Sequence, residues 1–310
     1  MLSKVNVFIS TSRFDESNLR AANELAGGRL NPTFNPHGRK MSEDEILRKL
    51  AEGYVGLIAG LEPLTDRVMS TAKSLQVIAR VGTGLDSVDL SAAKRLGISV
   101  LNTPDATTDA VAELTMAHML AVLRGLGAAD RSIRHGQWSP VMGRLLRGKT
   151  VGIIGYGRIG RRVDHLVTAF GARVIFCDPQ AEGGDVLQRR TLEELCKEAD
   201  IVTLHVPLVA ETRLILDAQL IRSLKPRAVV LNVARGGLVD EAELAVAVAE
   251  GRVLAGLDCF EEEPYIGPLS TLDEVTMTSH MGSYAEETRQ LMEREAALAL
   301  VRELQRRRVL

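Results

Sequence analysis

Short apolar runs rich in β-branched residues alternate along this chain with stretches whose apolar positions recur every three to four residues. Runs of the first kind predict buried parallel strands, and those of the second predict amphipathic helices, so the chain reads as α/β. In the first hundred residues the strand candidates are Val5–Ile9, Val55–Ala59, Val77–Ala79 and Val100–Asn102. Helices are predicted over Ser42–Glu52, where Ser42 and Glu45 form a capping box, and over Ser91–Leu96, closed by Gly97. Residues 105–127 predict one long helix, with N-cap candidates Thr107, Thr108 and Asp109 and stops at Gly125 and Gly127. Its apolar residues (Val111, Leu114, Met116, Met119, Leu120, Val122 and Leu123) surround most of the circumference, which predicts a helix buried inside the fold or between two subunits.

A new rhythm starts at Thr150. Strands are predicted at Val151–Ile154, Arg173–Cys177, Ile201–Leu204, Val229–Val233, Ala255–Leu257 and Val275–Thr278, with helices between them. Six strands so connected make one doubly wound domain. A last helix, Glu286–Leu304, carries Leu291, Leu298 and Val301 on its apolar face and is expected to return to the first domain. The expected division is therefore a discontinuous domain of residues 1–100 and 287–310 around a domain of residues 101–286.

Composition narrows the function. The 310 residues suit about two domains of roughly 150 residues each. Apolar content of 45% and charged content of 25% are ordinary for a soluble globular protein. Aromatics at 4%, with one Trp, argue against a stacking platform for single-stranded nucleic acid. A net charge of −2 gives no pull toward nucleic acid or anionic lipid. The three cysteines, Cys177, Cys196 and Cys259, are not spaced as CxxC, so neither a disulfide framework nor a metal site is expected. The N-terminal residues read as a strand rather than a signal peptide, and no apolar run approaches the ~20 residues of a membrane span. A cytoplasmic protein without nucleic-acid or membrane partners is expected. The Arg306–Arg308 run reads as a solvated tail.

Candidate chemistry begins at Gly155-Tyr156-Gly157-Arg158-Ile159-Gly160. A GxGxxG run alone is weak evidence, but this one follows an apolar strand and opens a helix. Gly155 permits the tight turn, Gly157 lets backbone approach a pyrophosphate at the helix N-terminus, and Gly160 lets helix and strand pack closely. Asp178 ends the next strand, 18 residues after Gly160. A carboxylate there accepts hydrogen bonds from a ribose and repels a 2′-phosphate, which favours NAD over NADP.

In open α/β sheets ligands bind beyond the carboxyl ends of the strands. Three successive strands of the second domain end in Arg235, in Asp258 with Glu261-Glu262-Glu263, and in His280. Reducing a 2-keto acid needs a hydride, a proton and a carboxylate anchor. A nicotinamide supplies the first, histidine the second and arginine the third, and an adjacent carboxylate fixes the histidine tautomer.

With this constellation the chain resembles the D-isomer-specific 2-hydroxyacid dehydrogenases, in the phosphoglycerate dehydrogenase-like branch. The resemblance runs over nearly the whole length: Arg80–Asp86, Asn102–Pro104, Val111–Glu113, Gly148–Gly160, His205–Leu208 with Thr212, Asn232–Gly236, and Leu257–Phe260 with Glu263-Pro264. It implies a doubly wound parallel sheet (Rossmann) nucleotide domain plus a smaller flavodoxin-like α/β substrate domain. It also implies that Arg235 binds substrate, that Glu263 pairs with the histidine, and that His280 is the acid/base. Cofactor contacts are implied at Thr108, Gly155, Gly157, Arg158, Ile159, Gly160, Asp178, His205, Pro207, Thr212, Ala234, Asp258 and Gly282. The backbone of Val81, Gly82, Thr83 and Gly84 is implied to face the substrate carboxylate, beside Arg235 and His280.

Two features depart from that pattern. Ser279 stands before His280 where proline is usual, and the loop Ala59–Thr65 lacks an arginine that some phosphoglycerate dehydrogenases present, which leaves Arg80 as a candidate cation for a phosphate. His118 reads as a hydrogen-bonded core residue, His205 as part of the cofactor wall, and Cys259 as packing. His37, His135 and His165 carry no signal. The expected protein is an NAD-dependent oxidoreductase acting on the CH–OH group of a small 2-hydroxy or 2-keto acid, and a homodimer. No regulatory module is expected after Leu310. Glyoxylate or hydroxypyruvate reduction, phosphite or formate oxidation, and a non-catalytic NAD-sensing corepressor-like role stay open.

Overall fold

The structure is a computed structural model that describes residues 3–181 and 188–310. The chain divides into two compact units, Met1–Thr107 with Ser283–Leu310, and Thr108–Gly282. The junctions lie a few residues from positions 100 and 286 for physical reasons. Ala106 packs into the core of the first unit beside Val81 and Met292. Gly282 is tied to the second unit by its amide, which donates to Asp258 Oδ2 at 2.9 Å.

The first unit holds five parallel strands, β1 (Val5–Ile9), β2 (Leu30–Phe34), β3 (Gly56–Ala59), β4 (Val77–Arg80) and β5 (Ser99–Leu101), in the order β2-β1-β3-β4-β5. That is the flavodoxin-like order. The sequence pattern did not reveal β2, whose residues Leu-Asn-Pro-Thr-Phe neither alternate nor run apolar. Pro32 lacks an N–H and is tolerated because β2 is an edge strand bonded only to β1. Helix α1 is Arg20–Leu25, and α2 is Glu43–Leu50, whose Ser42–Glu45 capping box forms as expected. Helices α3 (Asp66–Thr71) and α4 (Leu90–Arg95) complete that series.

One face of this sheet is closed by the last helix of the chain, α11 (Glu286–Arg306). Met292, Ala296, Ala297, Leu300, Val301 and Leu304 pack against Val7, Ile58 and Val77. Leu291, expected on that face, is 41% exposed. The buried stripe is displaced because it contains a charge: Glu293 is 3% exposed and accepts from Asp15 N, Asn18 Nδ2 and Arg289 Nε. Satisfied in this way, a glutamate can occupy a core position that hydropathy assigns to solvent.

The second unit holds β6 (Thr150–Ile154), β7 (Arg173–Cys177), β8 (Ile201–Leu204), β9 (Ala228–Asn232), β10 (Val253–Leu257) and β11 (Val275–Met277). All pair in parallel, in the order β11-β10-β9-β8-β6-β7. A further parallel bridge joins Phe176 of β7 to Arg189. The chain leaves β6 toward β7 on one side and later returns to β8 on the other, so the switch point lies at the carboxyl ends of β6 and β8. Around the sheet lie α5 (Thr108–Arg124), α6 (Leu126–Arg134), α7 (Arg158–Ala169), α8 (Leu192–Glu198), α9 (Ala218–Ser223) and α10 (Glu241–Ala249).

The helix expected over 105–127 is α5, which ends just before Gly125, one of its expected stops, and α6 follows it at a bend of 65°. Gly125 makes the bend, with a left-handed backbone at φ +61. Among the described residues no single helix is long and apolar enough to cross a membrane.

Candidate active site

The glycine loop follows β6 directly. Gly155 has φ +93, and a side chain there would press on the His205 carbonyl oxygen at 2.7 Å. A Cβ on Gly160 would collide with the Gly155 carbonyl. A Cβ on Gly157 would meet nothing within 4 Å, so this glycine borders open space at the start of α7. Among the described residues no side chain caps that helix end, which leaves its first amides to a ligand or water. Arg158 is exposed beside them, and Ile159 packs partly into the core. Asp178 lies against the loop: Oδ2 accepts from Tyr156 N and Oδ1 from Gln180 N, both at 2.8 Å. Each carboxylate oxygen keeps a further lone pair for a ribose hydroxyl.

At the end of β8, His205 contacts Thr203 Oγ1 through Nε2 at 3.0 Å. Its buried Nδ1 has no hydrogen-bond partner among the described residues, and the same holds for Thr108 Oγ1. Burial pushes the His205 pKa down to about 3, so the ring is neutral at ordinary pH. Thr212 Oγ1 closes the next turn, donating to Pro207 O at 2.6 Å and accepting from Val209 N at 2.9 Å. A bare helix end, an open glycine and two orphaned polar atoms fit a dinucleotide with its phosphates at α7 and its ribose at Asp178.

The titratable groups gather around the ends of β9, β10 and β11. Asn232 shapes the first turn: its Nδ2 donates to Arg235 O at 2.7 Å and its Oδ1 accepts from Ala234 N at 3.1 Å. Arg235 Nη1 donates to Ala234 O at 2.7 Å. Gly236 lies so close to the backbone of Phe260 and Glu261 that no side chain fits between the two turns. His280 Nδ1 is 3.0 and 2.9 Å from the two Glu263 oxygens, and Glu263 Oε1 also accepts from Phe260 N at 3.1 Å. The neighbouring acids are engaged differently. Glu261 pairs with Arg213 at 2.5 Å, and its amide donates to Glu241. Cys259 Sγ lies within 4.8 Å of the Glu263 and His280 ligand atoms. Burial, with the charge of Asp258, pushes its thiol up, so it remains a thiol.

Asp258, read from the sequence as both structural and cofactor-facing, and Gly282 lie next to the His280 turn. Asp258 has no exposed surface, and its carboxylate accepts from Thr278 Oγ1, Met281 N and Gly282 N at 2.5, 2.8 and 2.9 Å. Gly282 is buried against it. Both lie behind the His280 turn and brace it. The sequence reading gave Asp258 a structural role but not these partners, which come from the turn after β11.

Comparison with known proteins identifies the family. The NAD binding domain of the D-isomer specific 2-hydroxyacid dehydrogenases matches residues 116–282. This chain is a member of that family. Relatives that it matches are named D-3-phosphoglycerate dehydrogenase, hydroxypyruvate reductase and glyoxylate reductase. A D-3-phosphoglycerate dehydrogenase of Methanocaldococcus jannaschii is 43% identical over 80% of this chain, and the chain spans about half (49%) of that relative. A hydroxypyruvate reductase of Thermotoga maritima is 38% identical over 85% of this chain and 89% of its own length. A solved structure from Thermus thermophilus superposes with a TM-score of 0.88 at 36% identity, covering 96% of this chain and 97% of its own.

In this family member the backbone residues expected at the substrate, Val81–Gly84, lie in the first unit, whereas Arg235 and His280 lie in the second. Gly82, at φ +134, donates its amide to Thr103 Oγ1 at 2.9 Å, and Asn102 Nδ2 donates to Thr83 O at 2.7 Å. The Thr83 and Thr107 hydroxyls lie 2.6 Å apart. Arg80 folds back over Gly82, with Nη1 on Val81 O, and would have to turn outward to meet a phosphate. Sequence reading noted Glu62 only as part of a loop. It is 1% exposed and accepts from Ser10 Oγ and Gly60 N, and burial pushes its pKa up.

Proposed function

We propose that the chain is a D-2-hydroxyacid dehydrogenase of the phosphoglycerate dehydrogenase-like kind, with Arg235, Glu263 and His280 at its chemical centre. The observation that carries this reading is the two-pronged contact of Glu263 with His280 Nδ1. It commits Nδ1–H to the carboxylate, so Nε2 is the ring nitrogen that exchanges a proton with the substrate oxygen. Bound NAD supplies the hydride acceptor, or NADH the donor. Residues 155–160 and Asp178 hold it, with Thr108, His205, Pro207, Thr212 and Ala234 lining the rest of its path. Arg235 anchors the substrate carboxylate and polarises its carbonyl, and the Val81–Gly84 backbone receives the same carboxylate. In reduction His280 delivers its Nε2 proton to the nascent alkoxide. In oxidation it removes the hydroxyl proton, and Glu263 stabilises the imidazolium that results.

Hydroxypyruvate or glyoxylate as substrate is the second reading. The inward-folded Arg80 and the arginine-free loop 59–65 favour an unphosphorylated acid. Steady-state kinetics on 3-phosphohydroxypyruvate, hydroxypyruvate, glyoxylate and pyruvate with NADH and NADPH separates the two. His280→Ala is expected to bind NADH normally, by fluorescence titration, and to lose turnover by about 100-fold or more. Near-normal turnover in that variant rejects the role. NADH-dependent protein binding without turnover of any keto acid would favour the corepressor-like reading instead.

A homodimer belongs to the same proposal. Leu126, Ile133, Trp138, Met142 and Leu145 are exposed together within α6 and the segment that follows it. A monomeric mass by light scattering at micromolar concentration would end this part of the reading.

A further inference from the structure

We propose that His118, midway along α5, is a positioning residue for the acid–base histidine His280 and acts through Thr278 and Asp258. The inference rests on the dehydrogenase reading above and concerns what keeps its acid–base group in place.

His280 has a left-handed backbone, φ +52, an unfavoured conformation for a residue with a β-carbon. Such a conformation persists when its surroundings over-determine it, and Asp258 does so three times. Its main-chain oxygen accepts from His280 N at 2.8 Å, Oδ1 accepts from Met281 N at 2.8 Å, and Oδ2 accepts from Gly282 N at 2.9 Å. Both oxygens reach their amides only in one rotamer. Thr278 Oγ1 donates to Oδ1 at 2.5 Å and holds that rotamer.

The threonine hydroxyl has one proton, which goes to the carboxylate, so the remaining contact of Oγ1 must come from a donor. That contact is His118 Nε2 at 2.9 Å. The chain of bonds therefore assigns the Nε2–H tautomer to His118 and runs from α5 to the amides flanking His280.

Two observations separate this arrangement from a histidine that merely fills space. Gly256, on β10, leaves the room the ring occupies: a Cβ there would sit 3.2 Å from His118 Cβ and 3.2 Å from its Nδ1. The ring is 2% exposed, and Nδ1 has no partner among the described residues, so Thr278 is the polar group that accounts for a buried imidazole at this position. Burial holds the His118 pKa down and keeps the ring neutral, which preserves the tautomer.

The test reads the apoprotein first. Amide exchange at Met281 and Gly282 is measured by NMR in the wild type, His118→Leu and His118→Gln, with Ile153 as a reference amide in the β6 core. Leucine removes the donor and glutamine returns an N–H near the Nε2 position. The expected result is exchange at Met281 and Gly282 at least about ten-fold faster in His118→Leu, unchanged exchange at Ile153, and recovery in His118→Gln. Keto-acid turnover is expected to follow, with kcat down about ten-fold to a hundred-fold in the leucine variant and the KM for NADH unchanged. Thr278→Val is expected to behave like His118→Leu, and Thr278→Ser like the wild type. Wild-type exchange at Met281 and Gly282 in His118→Leu overturns the proposal. So does faster exchange with an unchanged kcat. If exchange loosens as expected while the wild type reduces none of the four keto acids, the brace stands and only the reaction assigned to it falls.

Discussion

At the carboxyl edge of the first sheet the polar groups turn inward. Glu62 takes its hydrogen bonds from Ser10 and Gly60, Arg80 lies back over Gly82, and Thr83 bonds Thr107. Along the corresponding edge of the second sheet, buried groups hold others at the surface. Asp258 braces the turn on which His280 stands, and Asn232 shapes the turn of Arg235. Under the proposed function the first edge offers backbone for recognition, and the second displays groups that exchange charge. The contrast teaches that strand-end polarity alone does not mark a reactive residue. What marks one is a polar side chain left part-exposed by supports that are themselves buried.

Substitutions on the two edges should therefore separate kcat from KM. Glu263→Gln removes the charge that stabilises the imidazolium and is expected to lower kcat by about 100-fold, with a smaller change in the KM of the keto acid. Ser10→Ala, on the first edge, is expected to change KM more than kcat. The reverse pattern in either variant breaks the comparison.

Next in size is a pair within the glycine loop. Gly160→Ala forces a methyl into the Gly155 carbonyl and is expected to lose about 1–3 kcal/mol in denaturant melts. Gly157→Ala meets open space and should melt near the wild type while binding NADH more weakly. Asp178→Ser should then shift the preference toward NADPH by about five-fold, as expected for relief of roughly 1 kcal/mol of charge repulsion at an exposed site. That shift is read from kcat/KM with each cofactor.

The last comparison is in pH, where the effects near neutrality are small. His205 titrates at 6.5 when unfolded and at about 3 when folded. Its contribution to stability is complete above the unfolded value and is lost as pH falls from 6.5 toward 3. Glu62 has the opposite sign. Its folded pKa is raised above 4.5, so its contribution is complete below that value and is lost as pH rises through the folded value. His205→Gln should flatten the acid side of a Tm profile, and Glu62→Gln the side above pH 4.5. If both variants flatten the same side, the two edges do not differ in the way described.

The alternating fold was legible because parallel strands buried on both faces are near-continuous apolar runs, and only the edge strand β2, with Pro32, escaped. The glycine loop, Asp178 and the histidine–glutamate pair were legible because the chemistry demands those residue types at strand ends. What was illegible depends on burial. Glu293 occupies a core stripe, and Glu62 is buried just past the end of β3. Hydropathy cannot register a charge whose partners come from distant segments, as when Asp15 and Asn18 supply those of Glu293.

The return of α11 to the first sheet has a consequence for biosynthesis. Val7, Ile58 and Val77 lack their cover until that helix, the last element described, leaves the ribosome. All of Thr108–Gly282 is translated in the interval, so the inserted unit can finish while the N-terminal one waits with a sticky face exposed to chaperones or to neighbouring nascent chains.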